Sequence, residues 1–424
     1  MEDLPELRRM PEELRSASID IGSKLALSGF RSWVVGGAVR DQVLGRIPTD
    51  VDLATDASPD EVEACFSETV PLGKRFGTVL VMRGSLGIEV TTLRAESGYA
   101  DARRPESVKF GSSVEVDAAR RDFTCNAMYL DTQSGQFLDP VHGFSDSKLG
   151  TLRAVGEPAA RFAEDGLRIL RLARLCASLE MAPAPETVDG ARASRSSLRG
   201  VSGERLFAEL ERGFDSGRGA SMMRWLGEIG VAEELYPGCA QGAGAEAAEL
   251  CSVWPHPPSL LEGLLLFLDP DPGGVDLGDR SSRSEMAFRS LESLKPPRSL
   301  KRSWSSSWRL AGELELAAAH DPDLGALRLW MRDDSWEPAS ALAQLSVGLE
   351  SERGQRIGEW RLERAGMDEG ELFPEPWVDA DALKSAGIKP GAIYGELLAQ
   401  ALRMQLSGEL SSRADAMAWL ATMA

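Results

Sequence analysis

The stretch "VVGGAVRDQVLGRIPTDVDLAT", residues 34–55, gathers two glycines, an Arg-Asp pair and an Asp-x-Asp within one short span. Val34 and Val35 read as the end of a buried strand, Gly36-Gly37 as a turn where the main chain comes close to something. Residues 38–44 carry helix formers, and Gly45 is a natural helix stop. In "TDVDLAT", Asp50 and Asp52 are two residues apart, so on a strand their side chains point the same way. Two like charges side by side disfavour ionisation unless a cation lies between them. Mg²⁺ favours a few carboxylates completed by phosphate oxygens. The span predicts strand, glycine turn, helix, strand, with a phosphate held by the turn and a metal by the second strand.

Working outward, 424 residues exceed what one core usually serves, and two to four domains are expected. No apolar run is long enough to span a bilayer: "LLEGLLLFL" (260–268) is short and interrupted by a glutamate. The charged start "MEDLPELRRMPEEL" is unlike a secretory signal. Five scattered cysteines (65, 125, 176, 239, 251) fit a reducing cytoplasm, and no CxxC pair suggests zinc. Three distant histidines argue against a histidine-built metal hydrolase. A net charge of −19 argues against indiscriminate nucleic-acid binding, because phosphate contacts need Lys and Arg. Residues 141–220, however, hold 12 Lys+Arg against 11 Asp+Glu, a local balance that allows a polyanion at one defined place. The sequence implies no membrane partner, and no oligomeric state is read from it.

Residues 1–30 read as an amphipathic helix feeding the first strand. From 31 to about 150, short β-like runs ("SWVVGG", "DVDLAT", "GTVLVMRG", "IEVTTLRA", "CNAMYLD") alternate with helical pieces. "EVEACF" (61–66), after the Ser58-Pro59 start signal, predicts a second helix. Beyond about 151 helical patterns dominate, so the fold class is α+β. "PAPETVDGARASRSSLRG" (183–200) and "DPDPGGVDLGDRSSRS" (269–284) read as loops or linkers. Eight of the ten tryptophans follow residue 250 and are expected to pack helices together rather than stack bases.

Four further stretches carry chemistry. "RRDFTCNAM" (120–128) sets two arginines before an Asp and then an Asn, and "FLDPVHGFSD" (137–146) is a turn-rich acidic segment in which His142 reads as a turn residue. "EDGLRILRLARL" (164–175) reads as one helix with Glu164-Asp165 and arginines at 168, 171 and 174, and "GERLFAEL" (203–210) as another. Steps of three drift by about 60° on a helix, so Asp165, Arg168, Arg171 and Arg174 wind around one half while Ile169, Ala173, Cys176 and Ala177 take the other.

These motifs, in this order between residues 31 and 212, resemble the nucleotidyltransferase family of class II tRNA CCA-adding enzymes and bacterial poly(A) polymerases. A weaker likeness runs through "GIKPGAIYGELLAQALRMQLSGEL" (387–410). The resemblance implies a nucleotidyltransferase head of mixed sheet and helices (1–150), then an all-helical neck that recognises the base (151–215), a body (216–340) and a tRNA-binding tail (341–424). It implies that Gly36, Gly37, Arg40, Arg121, Asp122 and Asn126 bind the nucleotide, and that Asp50 and Asp52 hold two Mg²⁺ ions. Asp165 and Arg168 would pair with the base edge, with Arg171 and Arg174 continuing that contact. A carboxylate and a guanidinium together offer the acceptor and donors that C and A share. Gly166 stands where many relatives carry Pro, which loosens the expected helix start. Glu89 in "GIEVTTLR" is a candidate third catalytic carboxylate, with a plain surface strand residue as the alternative.

The implied reaction is attack of an RNA 3′-hydroxyl on the α-phosphate of ATP or CTP, with release of pyrophosphate. Paired carboxylates suit it, because a two-metal clamp stabilises entering and leaving oxygens alike. The segment "LRAESGYADARRPESVKFG" (93–111) looks full length, with Gly98, Tyr99, Asp101, Arg103, Arg104 and Pro105 in the usual form. In relatives this segment is tied to the switch from C to A, so complete CCA addition is expected and CC-only addition is not. Addition of the terminal A alone keeps the segment and remains the alternative. Poly(A) polymerases differ at "GKRFGTVLV" (73–81) and tend to a basic C-terminal extension, which "SSRADAMAWLATMA" is not. A non-catalytic RNA-binding module is the reading from another class; retention of both aspartates speaks against it.

Overall fold

The computed structural model describes residues 4–73, 77–101, 104–110, 113–235, 258–268, 280–320 and 322–423. The chain divides into two compact units, Met1–Pro237 and Gly238–Ala424.

The first unit begins with α1 (Glu12–Leu27), which buries Leu14, Ile21 and Leu25 and leads into β1 (Ser32–Val35), buried along its whole length. Then come α2 (Gly37–Val43), β2 (Asp52–Thr55) and α3 (Pro59–Cys65). α3 starts as the sequence predicts, with Pro in the first turn and a capping box between Ser58 and Glu61. Strands β3 (Thr69–Gly73), β4 (Thr78–Arg83) and β5 (Leu86–Thr92) follow, then a separate antiparallel ribbon of β6 (Arg94–Asp101) and β7 (Arg104–Phe110). After α4 (Val114–Ala119) and a 3-10 turn at Thr124–Asn126, β8 (Tyr129–Asp131) and β9 (Phe137–Leu138) complete a seven-stranded sheet of order β3-β4-β5-β2-β1-β8-β9. β2 and β5 run parallel and the other neighbours antiparallel. One face packs on α1–α3 through Val34, Leu53, Val79, Val81 and Val90; the other covers Trp33, Val35, Leu93 and Tyr129. The fold is therefore a mixed-sheet head, and α+β holds for the chain as a whole.

Beyond α5 (Gly143–Lys148) the unit turns helical, apart from the short parallel pair β10 (Thr151–Leu152) and β11 (Ala182–Pro183). The expected single helix over 164–175 is two: α6 (Pro158–Glu164) and α7 (Leu167–Leu179). Asp165, in extended conformation (φ −148°), forms the corner between them. The expected loop over 183–200 is also helical, as α8 (Pro185–Ala193) and a 3-10 segment Arg195–Gly200. Pro185 pre-sets the first turn of α8, and Gly190 lets the helix approach Pro158 closely, where a Cβ would stand 2.5 Å from that ring. α9 (Gly203–Asp215) and α10 (Gly219–Ile229) pack on α7, and α11 (Val231–Leu235) follows. Gly166 does not loosen the start of α7. A Cβ there would meet the Ser197 carbonyl oxygen at 2.5 Å, so the glycine admits the 3-10 segment against the corner.

Among its described residues the second unit holds helices and no strand. Of the predicted 269–284 linker, 269–279 lie outside the described residues, and 280–284 already belong to the helix Arg280–Ser293. Arg298–Ala317 packs on Trp336–Ser346, which packs on Glu352–Gly366. Trp304, Trp308, Trp336 and Trp360 are buried among these helices, and Trp304 and Trp308 stack at 5.9 Å, so these tryptophans pack helices as expected. A separate cluster at the C-terminal end gathers Val378, Leu383, Leu397, Leu410 and Leu420. Among the described residues, no helix is long and apolar enough to cross a membrane.

Candidate active site

The site grows from the end of β1. Gly36 takes φ +74°, ψ −130°, a conformation closed to residues with a Cβ, and the chain turns there directly into α2. A Cβ on Gly36 would lie 4.0 Å from Asp52 Oδ2 and 3.9 Å from Arg121 Nη1; one on Gly37 would lie 3.9 Å from Asp50 Oδ1 and 3.5 Å from Arg40 Nη2. The glycine turn is thus the floor of a cleft walled by two carboxylates and two guanidinium groups.

Strand pairing supplies the carboxylates. Val35 stands opposite Asp52 in the β1–β2 ladder, and Asp52 stands beside Glu89 in the parallel β2–β5 ladder. Side chains in register on neighbouring strands share a face, so Glu89 lies on the Asp52 side. β2 begins only at Asp52, so Asp50 does not share the strand as expected but precedes it; it reaches the turn from the loop. Asp52 opens to solvent, yet its crowded surroundings, the Glu89 charge and then the Asp50 charge push its carboxyl up to about 6, against the pull of Arg121. Among the described residues neither Asp50 nor Asp52 forms an ion pair, and no three His, Cys, Asp or Glu side chains converge into a closed metal cage. Two carboxylates beside a glycine turn fit an open divalent-cation site completed by water and phosphate oxygens.

The arginines are braced from behind. Arg40 donates through Nε and Nη2 to Asp41 Oδ1 and through Nη1 to Asn126 Oδ1 (2.8 Å), leaving further N–H groups of its fork for a ligand. Arg121 donates to Asp117, to the Tyr129 hydroxyl and to the Asn126 carbonyl, and lies over the Tyr129 ring. Asp117 is 1% exposed; burial opposes its charge, but Arg121, Arg120 and the Tyr129 hydroxyl hold its carboxyl below the usual range. Asn126 donates to Asp122, whose carboxylate also takes Nε and Nη2 of Arg171 at 2.8 and 2.7 Å. Burial alone would raise the Asp122 carboxyl; Arg171 and Asn126 hold it well below the ordinary carboxylate range.

At the neck, Arg168 donates to Glu164 and to the carbonyls of Arg161 and Arg120. Asp165 takes a two-pronged ion pair from Arg205, at 3.2 and 2.7 Å, and accepts from Leu167 N–H. Arg174 Nε donates to Glu209 at 2.6 Å, and Arg171 and Arg212 also approach that 2%-exposed carboxylate. Hydrogen bonds therefore run without a gap from Glu209 through Arg171, Asp122 and Asn126 to Arg40.

The cleft brings together Gly36, Gly37, Arg40, Asp50, Asp52, Glu89 and Arg121; Asp122 and Asn126 stand behind it, and Asp165, Arg168, Arg171 and Arg174 line the neck. Sequence reasoning missed Asp117, Arg205 and Glu209. A carboxylate buried in the apolar run "LFAEL", four residues after an arginine, was the available signal for the last two. Arg103 of the full-length segment lies outside the described residues.

Residues 32–153 match the family model described as "Poly A polymerase head domain", and residues 180–242 the one described as "Probable RNA and SrmB- binding site of polymerase A". Over these residues the chain is similar to the head and RNA-binding regions of poly(A) polymerase-type proteins. It is 44% identical over 208 residues to a CCA-adding enzyme of Streptococcus uberis, covering 49% of this chain and 51% of that protein. A CCA-adding enzyme of Bacillus pumilus is 44% identical over 184 residues, covering 43% and 46%. The chain spans about half the length of these curated relatives. Among solved structures, Bacillus stearothermophilus CCA-adding enzyme in complex with CTP superposes with TM-score 0.69 at 24% identity, covering 98% of both chains. Thermotoga maritima CCA-adding enzyme complexed with tRNA gives 0.72 at 19% identity over 100% of each. At these identities the likeness shows the fold alone. Nucleotidyltransferases of this family generally use a divalent metal, and the donor set at the glycine turn suits one.

Proposed function

We propose that this chain is a template-independent tRNA nucleotidyltransferase that completes the 3′-terminal CCA from CTP and ATP. The observation that carries the reading is the cleft itself: two carboxylates without ion-pair partners among the described residues and two braced arginines converge on a glycine turn. The relatives that match about half of it are CCA-adding enzymes. In this reading Gly36 and Gly37 let the triphosphate approach the main chain, and the free N–H groups of Arg40, with Arg121, neutralise phosphate charge. Asp50 and Asp52 hold Mg²⁺, with Glu89 beside them orienting the site. The cation, when bound, supplies Lewis acidity toward the triphosphate and the entering hydroxyl. The RNA 3′-oxygen then bonds to the α-phosphorus as the α–β bridging bond breaks, releasing pyrophosphate. Asp122 and Asn126 keep Arg40 and Arg171 aimed, Asp165 and Arg168 read the base edge, and Arg171 and Arg174 extend that surface. Residues 1–150 act as head, 151–215 as neck, 216–340 as body and 341–424 as tRNA-binding tail, in the cytoplasm.

The test offers tRNA transcripts ending before, within and after CC, each with CTP or ATP alone and Mg²⁺. C added to the first two and A only after CC is the expected result. Addition confined to A after CC points to the A-only enzyme, long A tails point to poly(A) polymerase, and no incorporation overturns catalysis altogether.

A further inference from the structure

α9 carries its charges as the mirror of those on the neck it packs against. Arg205 meets the acidic reader Asp165 through both prongs of its fork, and Glu209, one turn further along α9, meets the basic Arg171 and Arg174. Residues four apart on a helix lie on one face, so a single rigid surface sets both signs. Neither contact is loose surface pairing: Glu209 is 2% exposed, and the Arg205 and Asp165 side chains are 28% and 21% exposed. Asp165 needs such a partner, because it sits at a helix corner in extended backbone and not on α7, where the helix would fix its direction. A planar fork gripping both carboxylate oxygens fixes the plane of the acceptor as well as its position.

We propose that α9 determines base choice: Arg205 aims the Asp165 carboxylate and Glu209 aims Arg171 and Arg174, as positioning residues that never touch the nucleotide. This rests on the reading of Asp165 and Arg168 as the base-reading pair. Loss of Arg205 leaves Asp165 free to rotate, so acceptor geometry that separates C and A from G and U is blurred. Loss of the Glu209 charge frees Arg174, which then offers donors to any base, and leaves Arg171 held by Asp122 alone.

The test is single-nucleotide incorporation by the full chain on a tRNA transcript, with each of the four triphosphates, for wild type, Arg205→Ala, Arg205→Lys and Glu209→Gln. Arg205→Ala should lower the preference for C and A over G and U about tenfold or more, the size of one lost two-pronged base contact. Lysine keeps the charge but not the fork, so Arg205→Lys should fall between; it also carries the test if the alanine variant does not fold. Glu209→Gln should relax preference in the same direction. Uniformly slower incorporation with unchanged preference in all three variants would overturn the proposal and leave α9 as a structural brace. A wild type that takes all four nucleotides equally, or none, would instead overturn the functional reading beneath it.

Discussion

The glycine turn and the neck treat charge in opposite ways. Around Gly36 and Gly37 like charges are gathered and left without ion-pair partners among the described residues, and desolvation together with the Glu89 and Asp50 charges pushes Asp52 up to about 6. Along α7 and the corner before it nearly every charge is matched: Arg168 by Glu164, Arg171 by Asp122, Arg174 by Glu209, and Asp165 by Arg205. Folding alone selects the second pattern, since a buried charge without a partner is costly. The first pattern stands where Asp50 and Asp52 open to solvent, which meets their charge. On the proposed function, the turn is where ligand charge is met and the neck is the frame that holds a shape ready.

The largest effect should come from the turn. Asp50→Asn is expected to cut incorporation of both CTP and ATP by about a thousandfold or more, equivalent to several kcal/mol of lost charge stabilisation. Binding of tRNA, measured by gel shift, should survive; near-normal turnover with Mg²⁺ would remove Asp50 from the metal assignment. On the neck side, Glu209→Ala should cost about 3–5 kcal/mol in denaturant unfolding, because it strands the buried Arg174. A loss under about 1 kcal/mol would mean that the two regions do not differ as described. Gly166→Ala should destabilise by about 1–3 kcal/mol through overpacking against the Ser197 backbone. Its φ of −57° suits any residue, so an unchanged midpoint would refute the close approach itself. The smallest separation concerns product: deletion of 96–105 should suppress A addition about tenfold more than C addition, roughly 1.4 kcal/mol of difference. Equal loss of both would make the β6–β7 ribbon a general support.

Much of this was legible in the chain because local rules agreed. The glycine pair, the helix before Gly45 and the Ser58 cap each state their structure within a few residues, and the ordered motifs placed the cleft. What the sequence hid was set by tertiary approach. Asp50 lies outside β2 yet reaches the turn, which only the strand pairing fixes. The helical pattern through 164–175 runs straight across the corner at Asp165, because apolar periodicity does not register a single extended residue. The 183–200 stretch, rich in Pro, Ser and Gly, reads as a loop but is held helical by Gly190 packing on α6. Arg205 and Glu209 gave only an i,i+4 spacing, and their partners lie some forty residues earlier.

Asp52→Asn and Glu209→Gln, prepared side by side and scored for both unfolding midpoint and nucleotide incorporation, set the two regions directly against each other. Removing the Asp52 charge relieves its repulsion from Glu89 and Asp50, so that variant should be as stable as wild type or more so, yet inactive with both CTP and ATP. Glu209→Gln should unfold more readily while keeping incorporation above that of Asp52→Asn. An Asp52→Asn protein that is destabilised but still active would show that the carboxylates at the turn serve the fold, and that the cleft is not where the chemistry occurs.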